Sequence, residues 1–297
     1  MGITDTNVAT GGLGYAIADA IIHFNKINVF WPLIDKKAVQ GGAIYGRFPV
    51  YTKITASDVT ANAAGAEGAD TSATDIATSP VDIEVLRYSV RADLTDLGIQ
   101  GNDDNIYGNT GDILGNAISA KFDNAVYADM SSSLVHQISS GSGALTMGVW
   151  FEAIEKLHTE GIMGPFSAVL SPKQIWGPYG LSSEIVQAGT SAVGTLADPG
   201  ANLANNGFVG TLAGVNVYWS DQITENTALI SGSIGLMFGK NAQGVAYKDL
   251  GNNGSFIVGE TERNASGALT TIVANGYFNT DQLYASASVG ILTQTSA

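Results

Sequence analysis

Asn109 to Gln137 reads NTGDILGNAISAKFDNAVYADMSSSLVHQ, and the rest of the chain is organised around this stretch. Apolar residues recur at Ile113, Leu114, Ala117, Ile118, Phe122, Ala125, Val126 and Met130, the spacing of one helix face. Lys121, Asp123 and Asp129 fall on the other side. Thr110 is placed to cap the start, and Asp112 sits in the first turn, where the helix dipole favours an acid. Roughly 25 helical residues at about 1.5 Å each make a rod of nearly 40 Å, longer than the usual globular helix. A rod of that length needs a sheet along its stripe, whose core positions are Leu114, Ile118, Phe122 and Val126. The candidate strands lie far away, from about residue 250 onward.

Toward the N-terminus two strand-like runs flank a tract of different character. Ala43 to Ala56 is rich in Tyr, Phe, Val, Ile and Thr, and Pro49 makes it an edge or bulged strand. Val81 to Leu94 alternates, with Val81, Ile83 and Val85 on one face. Its phase then slips by one to Leu86, Tyr88, Val90, Ala92 and Leu94, as at a β-bulge. Between them, Ser57 to Ser79 is mostly Ala, Gly, Thr and Ser, with Asp58, Glu67, Asp70 and Asp75 and no base. The whole reads as a long hairpin with an acidic tip. Strands of a dozen residues at about 3.3 Å each would project about 40 Å, and a lone two-stranded ribbon is marginal in water. The ribbon is therefore expected to lie on another subunit. Arg47, Lys53, Arg87 and Arg91 on its arms would meet acidic surface there, and the tip acids would meet the neighbour in turn.

Residues 1 to 14 are small and polar, an arm with no core of its own. Tyr15 to Phe24 has a short helical pattern, and Asn28 to Ile34 forms an apolar cluster that must bury itself on the chain's own body or on a neighbour. Gly98 to Gly111 reads as a loop into the long helix. Its Asp103, Asp104 and Asn105 lack the alternate spacing of a calcium loop.

Beyond the long helix, Thr146 to Gly161 is a compact amphipathic helix with Trp150, Ile154 and Leu157 as its stripe. Ser167 to Leu170 is a buried strand, and Ser171-Pro172 starts another helix. Val209 to Trp219 reads as a hairpin or two short strands, and Ala228 to Phe238 as another strand. Together these indicate an α/β subdomain. Phe256 to Phe278 then forms a long hairpin, and Gln282 to Gln294 supplies a further alternating strand. These are the strands expected beneath the long helix.

Composition sets the outer bounds. In 297 residues, Lys and Arg number 13 and Asp and Glu 27, a formal net charge of −14. Only 13% of residues are charged, about half the usual share. A chain so poor in charge is expected to hide surface against copies of itself. An acidic chain without a basic run is a poor partner for nucleic acid, because phosphate contacts need clustered Lys and Arg. With no Cys there is no disulfide framework, thiolate metal site or Cys nucleophile. The N-terminus shows no basic region followed by an apolar core. No apolar run approaches the ~18 residues of a membrane span. His23, His136 and His158 are far apart, and no HExxH, GxSxG, GxxxxGK[ST] or strand-to-helix GxGxxG occurs. No catalytic, cofactor-binding or metal-binding residue is expected.

The order of arm, long hairpin, long helix, inserted α/β subdomain and returning strands resembles the major capsid proteins of tailed bacteriophages, the Hong Kong ninety-seven-like fold. The segments AISAKFDNAVYADM, SAVLSPKQIWGPY and LAGVNVYWSDQI are similar to spine-helix and axial segments of such proteins. The resemblance implies an α+β fold with an N-terminal arm at 1–38 and an extended loop at 39–95. It also implies a peripheral domain at 96–145 and 249–297 that carries the spine helix, and an axial domain at 146–248. It implies a non-catalytic shell subunit without cofactor or membrane contact, assembling as hexamers and pentamers around double-stranded DNA in the host cytoplasm and residing in the virion. A portal and a separate scaffold or decoration protein would be its partners. An encapsulin-like compartment is the alternative within the fold, and a Gly-rich β surface or adhesion protein the alternative outside it.

Overall fold

The computed structural model describes residues 28–51, 78–100, 106–139, 143–177, 179–181, 207–223, 225–226, 232–248 and 256–294. The expected arm up to residue 27 and the tip between 52 and 77 lie outside them.

The long helix, α2, spans Ile106–Ser132, after a short α1 at Asp96–Gln100. It starts earlier than Thr110, whose hydroxyl donates to the Ile106 carbonyl from inside the helix at 2.6 Å, so Thr110 is not the cap. Asp112 accordingly lies beyond the first turn. The helix also stops before Gln137. Ser132 and Ser133 turn their hydroxyls back to the Asp129 carbonyl at 2.9 and 2.6 Å, competing with the backbone ladder. His136–Ser139 is already a strand, β5.

Beneath α2 lies a five-stranded sheet centred on β13, Leu269–Gln282. Strand β4, Leu86–Thr95, runs antiparallel along one side, from Leu269↔Thr95 to Phe278↔Leu86. The other side is shared by β12, Ile257–Asn264, and β11, Gln243–Lys248. A parallel strand β1, Asp35–Val39, extends β11. Leu114, Ile118, Phe122 and Val126 are buried in one cluster with Ile257, Ile272, Ala274 and Phe278. Phe122 meets Phe278 edge-on at 5.1 Å and Trp31 at 5.4 Å. Gly276 lies under Ile118, where an added Cβ would stand 3.3 Å from Ile118 Cγ2, so helix and strand backbones approach closely. The Asn28 to Ile34 cluster buries Val29, Phe30 and Ile34 on this same core, the chain's own.

A second, seven-stranded sheet has the order β5, β14 (Ser288–Gln294), β10 (Gly232–Gly239), β6 (Phe166–Leu170), β8 (Val215–Trp219), β7 (Phe208–Leu212), with β9 (Glu225–Asn226) beside β10. Helix α3, Met147–Thr159, packs Trp150, Ala153 and Leu157 on it. Thr146 caps α3 by accepting the Val149 N–H, and Gly161 leaves it at φ +73°. Helix α4, Pro172–Trp176, has a capping box between Ser171 and Gln174 and Pro at its first position. Ala213 and Gly214, both at positive φ, make the β7–β8 turn. One expectation fails here. The last strand does not lie beneath α2, because β14 pairs β10 antiparallel and β5 in parallel in the second sheet.

The second arm of the hairpin is shorter than its pattern. Among the described residues β2, Tyr45–Phe48, and β3, Val81–Glu84, pair as a ribbon, followed by a bridge from Tyr51 to Thr78. Pro49 ends β2, lacking the N–H to continue it. The phase slip at Val85 and Leu86 is a change of partners, not a bulge: β3 belongs to the ribbon and β4 to the body sheet.

Candidate assembly surface

The ribbon base is seated on its own chain through Val39, Phe48, Ile83 and Ala246. Gly46 allows this, since a Cβ there would stand 2.7 Å from Ala246 Cβ. Arg47 grips Asp82 through two bonds of 2.7 and 2.8 Å across the β2–β3 register. That bond holds the Asp82 carboxyl below the usual range. Lys37 donates to the Arg47 carbonyl at 2.5 Å. Further out, the Tyr51 N–H donates to the Tyr284 hydroxyl at 3.2 Å, tying the ribbon to the turn before β14.

On β4 the residues of one parity, Tyr88, Val90, Ala92 and Leu94, pack toward the helix core. The other parity presents Arg87, Ser89, Arg91 and Asp93 outward. Arg91 is bound by Asp93 through bonds of 2.8 and 2.9 Å, and Thr271 donates to Asp93 at 2.7 Å. The Arg91 bond, then the Thr271 bond, lowers the Asp93 carboxyl. Arg87 is exposed and has no ion pair among the described residues. Of the four bases expected to meet a neighbour, Arg47 and Arg91 are therefore engaged within the chain. Arg87 has no ion pair among the described residues, and Lys53 lies outside them. The acids Asp58, Glu67, Asp70 and Asp75 also lie outside them.

Several large apolar side chains are also outward. Met163 is 87% and Leu97 83% exposed, and Trp176 and Trp219 form an exposed pair at 6.1 Å. Met163 borders a cavity of about 430 Å³ between the α3–β6 connection, Lys240 and Tyr284. Among the described residues no group of three His, Cys, Asp or Glu is placed to hold a metal ion, and no helix is long and apolar enough to cross a membrane. His136 binds Glu160 at 3.1 Å and His158 packs edge-on to Phe166, both ordinary structural contacts.

Two residues of this surface carried no local signal. Asp82 sits at an ordinary outward position of an alternating strand, and only the register with Arg47 gives it a partner. Tyr284 lies in a turn 233 residues from the backbone it binds.

The whole arrangement superimposes on known shells. The capsid protein of Ralstonia phage GP4 matches with a TM-score of 0.67 at 12% identity, over 93% of this chain and 91% of that one. The chain has the Hong Kong ninety-seven-like capsid fold. The capsid of Cyanophage P-SCSP1u carries the same fold, with a TM-score of 0.64 at 14% identity over 92% and 90% of the two chains. The SrpI encapsulin of Synechococcus elongatus matches at 0.59 and 14% identity, over 88% and 85%. No protein-family model and no curated protein matches the sequence. In the terms of this capsid fold, α2 is the spine helix and the β2–β3 ribbon the root of the extended loop.

Proposed function

We propose that the chain is the major capsid protein of a tailed bacteriophage, assembling as hexamers and pentamers into a closed icosahedral shell around double-stranded DNA. The observation that carries this reading is the extent of the correspondence with phage capsid subunits, nine-tenths or more of each chain in the two phage structures above. The low charge fraction fits a subunit whose surface is covered by copies of itself. The net charge of −14 fits a wall that does not hold the genome by its phosphates. On this reading the subunit performs no catalysis, assembles in the host cytoplasm and resides in the virion, with a portal and a separate scaffold or decoration protein as partners. The arm is 1–38, the extended loop 39–95, the peripheral region 96–145 with 249–297, and the axial region 146–248; β5 and β14 of the third join the sheet of the fourth, while β4 of the second and β11 of the fourth join the sheet beneath the spine helix.

The inter-subunit contacts fall to Arg87 and Lys53, with Arg47 and Arg91 held ready by in-chain acids, and to the tip acids Asp58, Glu67, Asp70 and Asp75. The similarity to an encapsulin keeps a second reading in view, a compartment for cargo protein. Electron microscopy of the expressed chain tests both. Closed shells support the capsid reading, small uniform shells filled with protein support the compartment, and the absence of any shell refutes both.

A further inference from the structure

The segment Asn28 to Trp31 carries no charge and is seated against the middle of the spine helix. Asp123, on the helix face that the sequence spacing assigns away from the core, is 4% exposed. Its carboxyl accepts the main-chain N–H of Val29 at 3.1 Å and that of Phe30 at 3.2 Å. Asn28 Oδ1 accepts the Trp31 N–H at 2.5 Å and closes the segment into a turn. Phe30 then stacks on Phe238 and Trp31 meets Phe122 edge-on.

The charges around this carboxyl are few. The docked segment offers only N–H groups. The connection after β8 brings Asp221, another acid whose charge opposes ionisation. Strand β10 has no charged residue. On the spine helix, Lys121 reaches over the Tyr88 ring, and Asp129 bonds Thr280 and Gln243. Lys36 of β1 lies over the Trp31 ring. No base stands within ion-pair distance of Asp123 among the described residues.

We propose that Asp123 is a proton-dependent clasp, holding the segment that precedes β1 against the spine helix and loosening it when the carboxyl ionises. Burial is the larger influence, the two N–H bonds oppose it, and the carboxyl is pushed up to about 7. Released into water it would titrate near 4. Between those values the docked form holds a proton that the released form lacks. Docking therefore weakens as pH rises through that window and is level above it.

Amide hydrogen exchange at Val29 and Phe30 in the full-length unassembled chain tests this, corrected for intrinsic rates between pH 5 and 9. Protection should fall about tenfold per pH unit up to neutrality and then level off. Asp123→Asn keeps an acceptor oxygen but cannot ionise, so its protection should show no such slope. Ile272 and Ala274, in the sheet below, should keep constant protection in both proteins. A flat native profile, a slope retained in Asp123→Asn, or a parallel change at Ile272 and Ala274 would each overturn the clasp. If the variant does not fold, the native series read against those two core amides decides alone. None of these readouts depends on whether the chain forms shells.

Discussion

Gln174 Nε2 donates to the carbonyl oxygen of Ile291, 117 residues later in the chain, at 3.1 Å. The same amide nitrogen donates to the Ser233 carbonyl at 3.0 Å and the Thr293 hydroxyl at 2.8 Å, while its oxygen accepts the Ser171 N–H at 3.0 Å. One buried side chain thus completes the cap of α4 and fastens it to β10 and β14. Gln174→Leu would remove these bonds, and each buried group it leaves unpaired costs about 1–3 kcal/mol. We expect a loss of roughly 3–5 kcal/mol on that basis. It would appear as a lower urea midpoint with unchanged slope. A midpoint within error of the native one would refute the role.

Gly235 faces that amide. A Cβ there would stand 2.4 Å from Leu170 Cδ2 and 2.8 Å from Gln174 Oε1. Gly235→Ala should cost about 1–3 kcal/mol by overpacking. Because the clash falls on the same network, its cost should not add to that of Gln174→Leu. A double-mutant cycle should give a coupling of about 0.5 kcal/mol or more, and strict additivity would contradict the shared network.

Phe122 and Lys121 are adjacent in sequence yet about 100° apart around the spine helix. Phe122 is fully buried among Trp31, Phe256 and Phe278, so Phe122→Ala should cost about 3–5 kcal/mol. Lys121 reaches over the Tyr88 ring at 5.4 Å, and Lys121→Ala should cost about 1 kcal/mol or less. Thermal unfolding and shell yield of the two variants measure the contrast. Equal behaviour would mean that the helix does not pack through this stripe.

Arg87 is the one described base of the four with no ion pair among the described residues, so Arg87→Glu is the sharpest probe of contacts between copies. We expect lower shell yield with an unchanged circular dichroism spectrum, and weaker native assembly as salt rises. Arg91→Glu should have the smaller effect of the two, because Asp93 already holds Arg91. Assembly indifferent to both changes and to salt would remove these arginines from the interface.

Deleting residues 60 to 76 removes a tract made mostly of Ala, Gly, Thr and Ser, with little apolar side chain to bury, and should spare the subunit fold. It should abolish shells if the acidic tip rests on a neighbour. Normal shells from the deletion variant, seen by electron microscopy, would discard that contact.

Periodicity carried the elements that one segment decides by itself. The apolar stripe from Leu114 to Met130, the Ser171-Pro172 start of α4 and the helix between Thr146 and Gly161 all depend on neighbours three or four residues away, so they are legible locally. Hydrophobic order was enough to place a long helix over returning strands. What tertiary structure alone decided were choices between equivalent partners. The one-residue slip at Val85 marks a strand changing sheets, and β14, whose alternation suits either sheet, pairs with β10 and β5. Arg47 gains Asp82 only through strand register. Asp123 shows the limit most clearly. A carboxylate at a polar position of an amphipathic pattern reads as solvated, and two N–H groups from a segment over 90 residues away make it a buried anchor instead. Burial of a charge is settled by which distant backbone brings donors to it, and that is a property of the folded chain, not of the local sequence.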